Sequence, residues 1–291
     1  MKIFTTLFFV LFFSSNYGQN KFEYFGVLKL NGNSKTVISY RLFFELKAGL
    51  VSGYSVTDLG GDNETKNSIS GIYNSKLKTL KFKEDNILYT KSNFSEKSFC
   101  FINYEGKIKL TDNFTKIDGT FKGLYKNKSS CIDGTISLNG SEKIYKVLNK
   151  IENKIKNSKK IDEQKKKEVN PVTLIDNLKV NNLVKDQNLN VFANSNEVFL
   201  EIYDAESEDG DVINLYQNGK LILANYTILK KIKRFAIILE NAQNVFKIVA
   251  VTEGKVGFNT ASIKIIDNDR TFDLKTSLKK DEKATISFIK N

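Results

Sequence analysis

From Lys21 to Leu138 apolar and polar residues alternate in short runs, as in Phe25–Leu30, Val37–Phe44 and Leu80–Lys83. Turn chemistry separates the runs: Asn31-Gly32-Asn33, Gly60-Gly61-Asp62-Asn63 and Asp112-Asn113. Alternation at a period of two, broken by such turns, predicts antiparallel strands. A weak repeat runs through this half. Ile69-Ser-Gly71-Ile-Tyr73, Ile117-Asp-Gly119-Thr-Phe121 and Ile132-Asp-Gly134-Thr-Ile136 share the form Ile-polar-Gly-x-apolar. A glycine inside a strand marks a bulge, a bend or a close backbone approach. Its recurrence predicts a strongly curved meander, a highly bent sheet or a small barrel. A barrel of about eight strands has a mouth that can take a small apolar ligand. The competing expectation is that Phe and Ile side chains fill the interior.

The period then changes. Ile144, Val147, Leu148, Ile151 and Ile155 lie on one helical face, with lysines crowding the others and Lys165-Lys166-Lys167 following. This predicts a lysine-rich helix over 143–167, stopped at Asn170-Pro171 because the residue before proline is pushed out of the helical region. Three readings are open: an interdomain helix packed on a sheet, a basic helix in peripheral contact with an anionic membrane, and a short coiled coil.

Beyond it, strands are expected at Val198–Tyr203, Val212–Tyr216, Leu221–Leu223, Phe235–Leu239, Val245–Val251, Ala261–Ile265, Phe272–Leu274 and Ala284–Ile289. Their spacing of roughly ten residues suits a β-sandwich, and Asn218-Gly219 is a strong hairpin signal. The expected architecture is all-β: an N-terminal curved antiparallel sheet or small barrel (19–141), a basic helical linker (142–170) and an immunoglobulin-like β-sandwich (171–291).

Composition narrows the chemistry. The 291 residues contain no His, no Trp, one Pro and two Cys. Without His there is no Ser-His-Asp or Cys-His pair and no imidazole metal ligand. Formal net charge is +12, but it is unevenly spread. Residues 143–170 hold ten lysines against four acids, whereas residues 171–291 hold 16 of each sign. Arginine appears three times, at Arg41, Arg234 and Arg270. Readers of phosphates and base edges favour the planar Arg fork, so nucleic acid is not an expected partner.

Lys2, the apolar run Ile3–Phe13 and the small or polar stretch before Gln19 form the three parts of a secretory signal, with cleavage expected after Gly18. The run is too short to span a membrane, and no Cys lies near the cleavage point to carry a lipid. The mature chain is expected in the periplasm, on the cell surface or outside the cell. In such an oxidising compartment Cys100 and Cys131 pair as a structural disulfide.

One set of motifs resembles a known module. Asp209-Gly210-Asp211, Asn218-Gly219 and Asn259-Thr260-Ala261 are similar to a DGD…NG…NTA pattern in uncharacterised exported proteins of Bacteroidota-type bacteria. The likeness covers roughly residues 197–290, departs from the pattern at Gly257-Phe258, and implies location and fold rather than an activity. Around the first motif, Asp204, Glu206, Glu208, Asp209 and Asp211 offer oxygens of the kind Ca²⁺ takes. The glycine stands at position 7 counted from Asp204, so this is no EF-hand. The alternative is a solvated acidic loop in which Asp209 and Asp211 accept from turn amides.

The same carboxylates would have to serve any carboxylate-based hydrolase, while Ser75-x-x-Lys78 and Ser277-x-x-Lys280 are matches that a lysine-rich chain makes by chance. No catalytic residue is assigned. The leading expectation is a non-catalytic binding or scaffolding protein whose partner is a protein or glycan at the envelope, with Tyr216, Tyr226 and Phe258 as contacts on turns. The alternative is a carrier that holds a small apolar ligand in the N-terminal barrel.

Overall fold

The computed structural model describes residues 20–32, 36–168, 170–206, 208–255 and 257–290. The expected export signal, 1–18, lies outside them. The fold is all-β, and its first half is a closed barrel. Eight strands follow in order: β1 (Asn20–Leu30), β2 (Val37–Lys47), β3 (Leu50–Thr57), β4 (Thr65–Asn74), β5 (Thr79–Thr90), β6 (Phe101–Lys107), β7 (Lys116–Leu124) and β8 (Gly134–Gly140). Each pairs antiparallel with the next, and β8 returns to β1 with Tyr24 opposite Gly140 and Leu30 opposite Gly134. Closure leaves this sheet with no free edge to template aggregation.

The glycine repeat explains how so few strands curl so tightly. Ile69, Gly71 and Tyr73 alternate toward the interior, as do Ile117, Gly119 and Phe121. A methyl group on Gly71 would lie 2.1 Å from the Lys81 carbonyl oxygen on β5. At Gly71 and Gly134 adjacent backbones therefore close over positions where a larger residue would hold them apart, whereas Gly119 lies over the Tyr104 ring. The interior between these corners is filled by Tyr24, Leu42, Phe44, Leu80, Phe82, Tyr104, Ile117 and Leu138, all buried. Phe22 stacks on Phe44 and Phe82 tilts against Tyr104, each pair 5.3 Å between ring centres. One end is sealed by the β6–β7 connection. There the Asn113 side chain accepts from the Glu23 amide at 2.9 Å, and Tyr24 bonds Thr115 at 2.6 Å.

The linker corrects the expectation of one helix ended by proline. It forms α1 (Ser141–Lys156), α2 (Glu163–Glu168) and α3 (Pro171–Asn177). Asn157 and Ser158 end α1, and Asn170-Pro171 begins a helix instead of stopping one. Proline fits the first helical position, where its missing N–H has no intrahelical acceptor to lose. The Asn170 side chain accepts from the Thr173 amide at 3.1 Å as an N-cap. α1 packs on α3 and on the ends of β1 and β8. Its Val147 and Ile151 stay exposed beside the lysines. Among the described residues no helix is long and apolar enough to cross a membrane.

The second half is a sandwich of two five-stranded sheets. Its strands are β9 (Asn181–Leu183), β10 (Asn188–Ala193), β11 (Glu197–Tyr203), β12 (Val212–Gln217), β13 (Lys220–Thr227), β14 (Lys233–Ile238), β15 (Gln243–Ala250), β16 (Ser262–Asp267), β17 (Arg270–Thr276) and β18 (Lys283–Lys290). One sheet runs β13-β12-β15-β18-β10 and the other β14-β11-β16-β17-β9. Val198, Leu200, Ile263, Ile265 and Phe272 from one face meet Ile213, Leu215, Phe246, Ile248 and Phe288 from the other. All eight expected strands are present. The pattern missed β9 and β10, which pair parallel with β17 and β18.

β10 also pairs antiparallel with β5, Val191 opposite Tyr89, so the barrel wall continues into the sandwich. The junction is polar and buried. Glu64 accepts from Tyr89 at 2.9 Å and from Asn181 at 2.6 Å, and Lys91 donates to the Asn182 carbonyl at 2.7 Å. Arg41, 7% exposed, pairs with Glu23 at 2.7 Å and donates to the Lys179 carbonyl. The Lys66 ammonium sits 3.8 Å from the centre of the Tyr54 ring and within 6 Å of Tyr89 and Phe272. Burial, with Arg41 nearby, pushes this ammonium down from 10.5 to about 8.

Candidate ligand site at the barrel mouth

The barrel's other end is open. Around it stand the ends of β1 and β2 and the β3–β4, β5–β6 and β7–β8 connections. The described residues there line a partly open cavity of about 450 Å³, within the usual size of small-molecule sites. Its lining is mixed: Leu28, Leu30, Ile38, Phe99, Ile102, Phe121 and Ile132 are apolar, Thr57, Asp58, Asn63 and Ser92 are polar or charged, and Phe94 stands 73% exposed at the rim. The Cys100–Cys131 disulfide, Cα–Cα 6.1 Å, ties the β5–β6 and β7–β8 connections together beside it. Closing a loop between residues 31 apart stabilises by about 3–4 kcal/mol on the chain-entropy account, and here it also holds the rim.

The floor is polar. Four inward positions that alternation would make apolar carry Tyr40, Ser55, Asn67 and Glu84, all buried. Glu84 Oε1 accepts from the Tyr40 hydroxyl at 2.9 Å and from the Ser55 hydroxyl, and Oε2 accepts from the Ile102 amide at 2.8 Å. The Asn67 side chain lies close enough to Glu84 to oppose the rise in its pKa. Burial raises the Glu84 carboxyl above its ordinary range, and Ser55, the Ile102 amide, Tyr40 and Asn67 act against that. Tyr40 is held well above its ordinary value by burial and by the neighbouring Glu84. Asn67 Oδ1 is buried with no hydrogen-bond partner. A buried acceptor without a donor is costly, and Asn67 Oδ1 shares this state with Asn181, Asp211 and Asn259 Oδ1 among the described residues.

A larger depression, about 760 Å³, lies on the outside of the barrel among Ile72, Lys81, Lys83, Glu105 and Lys122. It is a saddle made by the coiling wall, lined by solvated side chains, and no buried polar group points to a ligand there. The mouth, where apolar and polar side chains line a cavity at the barrel's own end, is the better candidate.

The acidic residues singled out in the sequence bind protein groups. Asp204 accepts from the Glu206 amide at 2.8 Å, Glu206 pairs with Lys275, and Glu208 accepts from the Lys230 amide at 2.6 Å. Asp209 lies against the backbone of Gly254. Asp211 accepts from the Thr260 amide at 2.7 Å, while Asn259 donates to the Val212 and Thr252 carbonyls at 3.0 and 2.8 Å. The DGD and NTA motifs are thus two halves of one latch, which ties the start of β12 to the turn before β16. Among the described residues no three acidic side chains converge as a metal-holding group. Asn218 and Gly219 form the β12–β13 hairpin turn, both with positive φ.

Tyr216 and Tyr226 lie within strands, not on turns. Tyr216 carries Lys247 over its ring at 4.4 Å, and Tyr226 packs against the sandwich core. Phe258 is on a connection and 49% exposed. Ser75 and Lys78 belong to the β4–β5 turn, and Ser277 and Lys280 to the connection before β18. Comparison of the chain with protein-family models, curated proteins and solved structures finds no match.

The mouth residues were missed because each, taken alone, is an ordinary polar residue in a strand. A usable signal was present: Asn67 and Glu84 stand in register with Ile69 and Phe82, on the apolar phase of their strands.

Proposed function

We propose that this is an exported, non-catalytic binding protein that holds a small apolar molecule in the mouth of its barrel. One observation carries the reading: a closed barrel, filled by side chains along most of its length, stops being filled at one end. There Leu28, Ile38, Phe99, Ile102 and Phe121 line a cavity that also carries the polar side chains of Thr57, Asp58, Asn67 and Glu84. A purely structural barrel would gain by closing that space, since unfilled volume and unpaired polar groups both cost stability. The disulfide at the rim and the signal-like first 18 residues support an oxidising compartment outside the cytoplasm. The sandwich, joined through β10 and the polar junction, braces the mouth and presents its own loops to partners at the envelope.

The test is titration with a neutral apolar dye, N-phenyl-1-naphthylamine, of the full mature chain and of Ile38→Trp, which fills the mouth. Saturable binding at one site per chain, reduced at least tenfold by the substitution, is expected. Absence of saturable binding, or binding that ignores the plug, overturns the proposal.

A further inference from the structure

We propose that the outer face of α1, at the sealed end of the barrel and away from the mouth, is a docking surface for an anionic lipid bilayer.

α1 carries its apolar positions in one stripe, and the fold covers only part of it. Ile144, Leu148 and Ile155 are half-buried, whereas Val147 and Ile151 are 50% and 42% exposed. Residues three and four apart are neighbours on a helix surface, so Lys143, Lys150 and Lys154, all exposed, edge these two side chains. The two acids of α1 stand elsewhere on the helix: Glu142 lies one turn before Lys146, and Glu152 pairs with Lys156. Lys146 sits 5.8 Å from the centre of the Phe114 ring, itself 45% exposed on the β6–β7 connection. Asp112, the nearest acid in sequence, accepts from the Phe114 amide at 2.9 Å. The surface is a basic strip with apolar side chains set into it.

Three occupants can be compared. A second copy of this face would set Lys143, Lys150 and Lys154 against the same three lysines, and like charges brought together across an interface are costly. A soluble polyanion would meet the lysines but leave Val147, Ile151 and Phe114 in water. An anionic bilayer answers both features. Its headgroups attract the ammoniums, and its interface covers apolar side chains at the depth a surface-lying helix reaches. Position in the fold agrees. β1 begins at this end of the barrel, with Tyr24 opposite Gly140, the residue before α1. An export signal on residues 1–18 would leave this end nearest the membrane.

The chain contains no Trp, so Val147→Trp places a single fluorescent reporter on this face of the full mature protein. Vesicles of phosphatidylcholine mixed with an equal amount of phosphatidylglycerol should shift its emission to the blue, saturably. Vesicles of phosphatidylcholine alone should not. Each lysine near an anionic surface changes partitioning by about fivefold, so adding Lys150→Gln and Lys154→Gln should weaken binding about 25-fold. Salt at about 1 M, where the screening length is about 3 Å, should release the protein. Leu221→Trp, 44% exposed on the sandwich edge strand β13, is the control and should not shift. No shift with the mixed vesicles, an equal shift with the neutral ones, or binding that ignores the two lysines overturns the proposal. So does a shift in Leu221→Trp alone, which moves the contact to the sandwich. Soluble polyphosphate shifting the Val147→Trp emission as far as the mixed vesicles also overturns it, by making a polyanion the partner. Cosedimentation of the unsubstituted chain with the same two kinds of vesicle repeats the comparison independently of how any variant folds.

Discussion

Replacing Gly71 by alanine tests the closed barrel by the sign of its effect. In an open, gently twisted sheet, glycine inside a strand is a weakness, and alanine should stabilise by about 0.5–1 kcal/mol. In this structure the added methyl would lie 2.1 Å from the Lys81 carbonyl oxygen and 2.8 Å from the Phe82 Cα, whereas real Cβ contacts essentially never fall below 3.0 Å. The β4 and β5 backbones would have to part by the difference, in the middle of a hydrogen-bonded ladder in which Gly71 faces Phe82. Forcing a methyl into such a space costs about 1–3 kcal/mol, and each ladder bond stretched adds about 1 kcal/mol. After the backbone gain is subtracted, Gly71→Ala should destabilise by about 1–3 kcal/mol. Gly26→Ala and Gly53→Ala, which meet the Ser137 and Phe43 carbonyls at 2.0 and 2.1 Å, should behave alike. Ser70→Ala, one residue away on the outer face, is the control and should stay within about 0.5 kcal/mol. Urea unfolding followed by circular dichroism reads the midpoint shift at unchanged slope. A Gly71→Ala chain as stable as the wild type, or more so, would refute the tight coiling and the closure that depends on it.

Two further predictions concern the junction and the latch. Lys66 is a base whose folded pKa, about 8, lies below its ordinary 10.5, so its charge costs stability fully below about pH 8 and the cost is gone above 10.5. The net of burial and the nearby charges would make that cost about 3 kcal/mol, and the three aromatic rings around the ammonium offset part of it. Between pH 8 and 10.5 the wild type should therefore gain about 1–3 kcal/mol on Lys66→Met, measured by urea unfolding across that range; a difference independent of pH would refute it. At the latch, Asp211→Ala leaves the Thr260 amide without its acceptor and should cost about 1–3 kcal/mol. Asp211→Asn keeps an acceptor and removes a carboxylate that burial, Asp209 and Asp204 push up in pKa, so it should stay near wild type. Equal losses in both variants would show that charge, not the hydrogen bond, matters there.

Much of the fold was legible because strand formation follows a local pattern. The alternation in residues 21–138, the glycine repeat and the eight strands beyond Val198 all follow from residues close in sequence. The two strands missed, β9 and β10, are short or irregular in pattern and are held by parallel partners about 90 residues away or more. Asn170-Pro171 was read with the wrong sense for a similar reason. A proline-preceded asparagine breaks the helix before it and caps the helix after it, and only the chain on the far side tells which matters. The DGD and NTA motifs stood out as motifs, but their joint role depends on a hydrogen bond between Asp211 and Thr260, 49 residues apart.

By itself, then, the sequence determined an all-β protein with a helical, lysine-rich connector, two cysteines placed in one curved sheet, and no histidine chemistry. These properties depend on composition and on periods of two or about four residues. Closure of the barrel, the direction in which its ends differ and the polar floor at one of them were decided by the tertiary structure. Whether β8 meets β1 depends on accumulated twist and on backbones pressed together at glycines. Whether Asn67 and Glu84 are solvated strand residues or the base of a binding site depends on which way the closed sheet turns them. In an open sheet their polar groups would meet water. Inside the barrel they are buried, and Glu84 accepts from Tyr40, Ser55 and the Ile102 amide instead of from water.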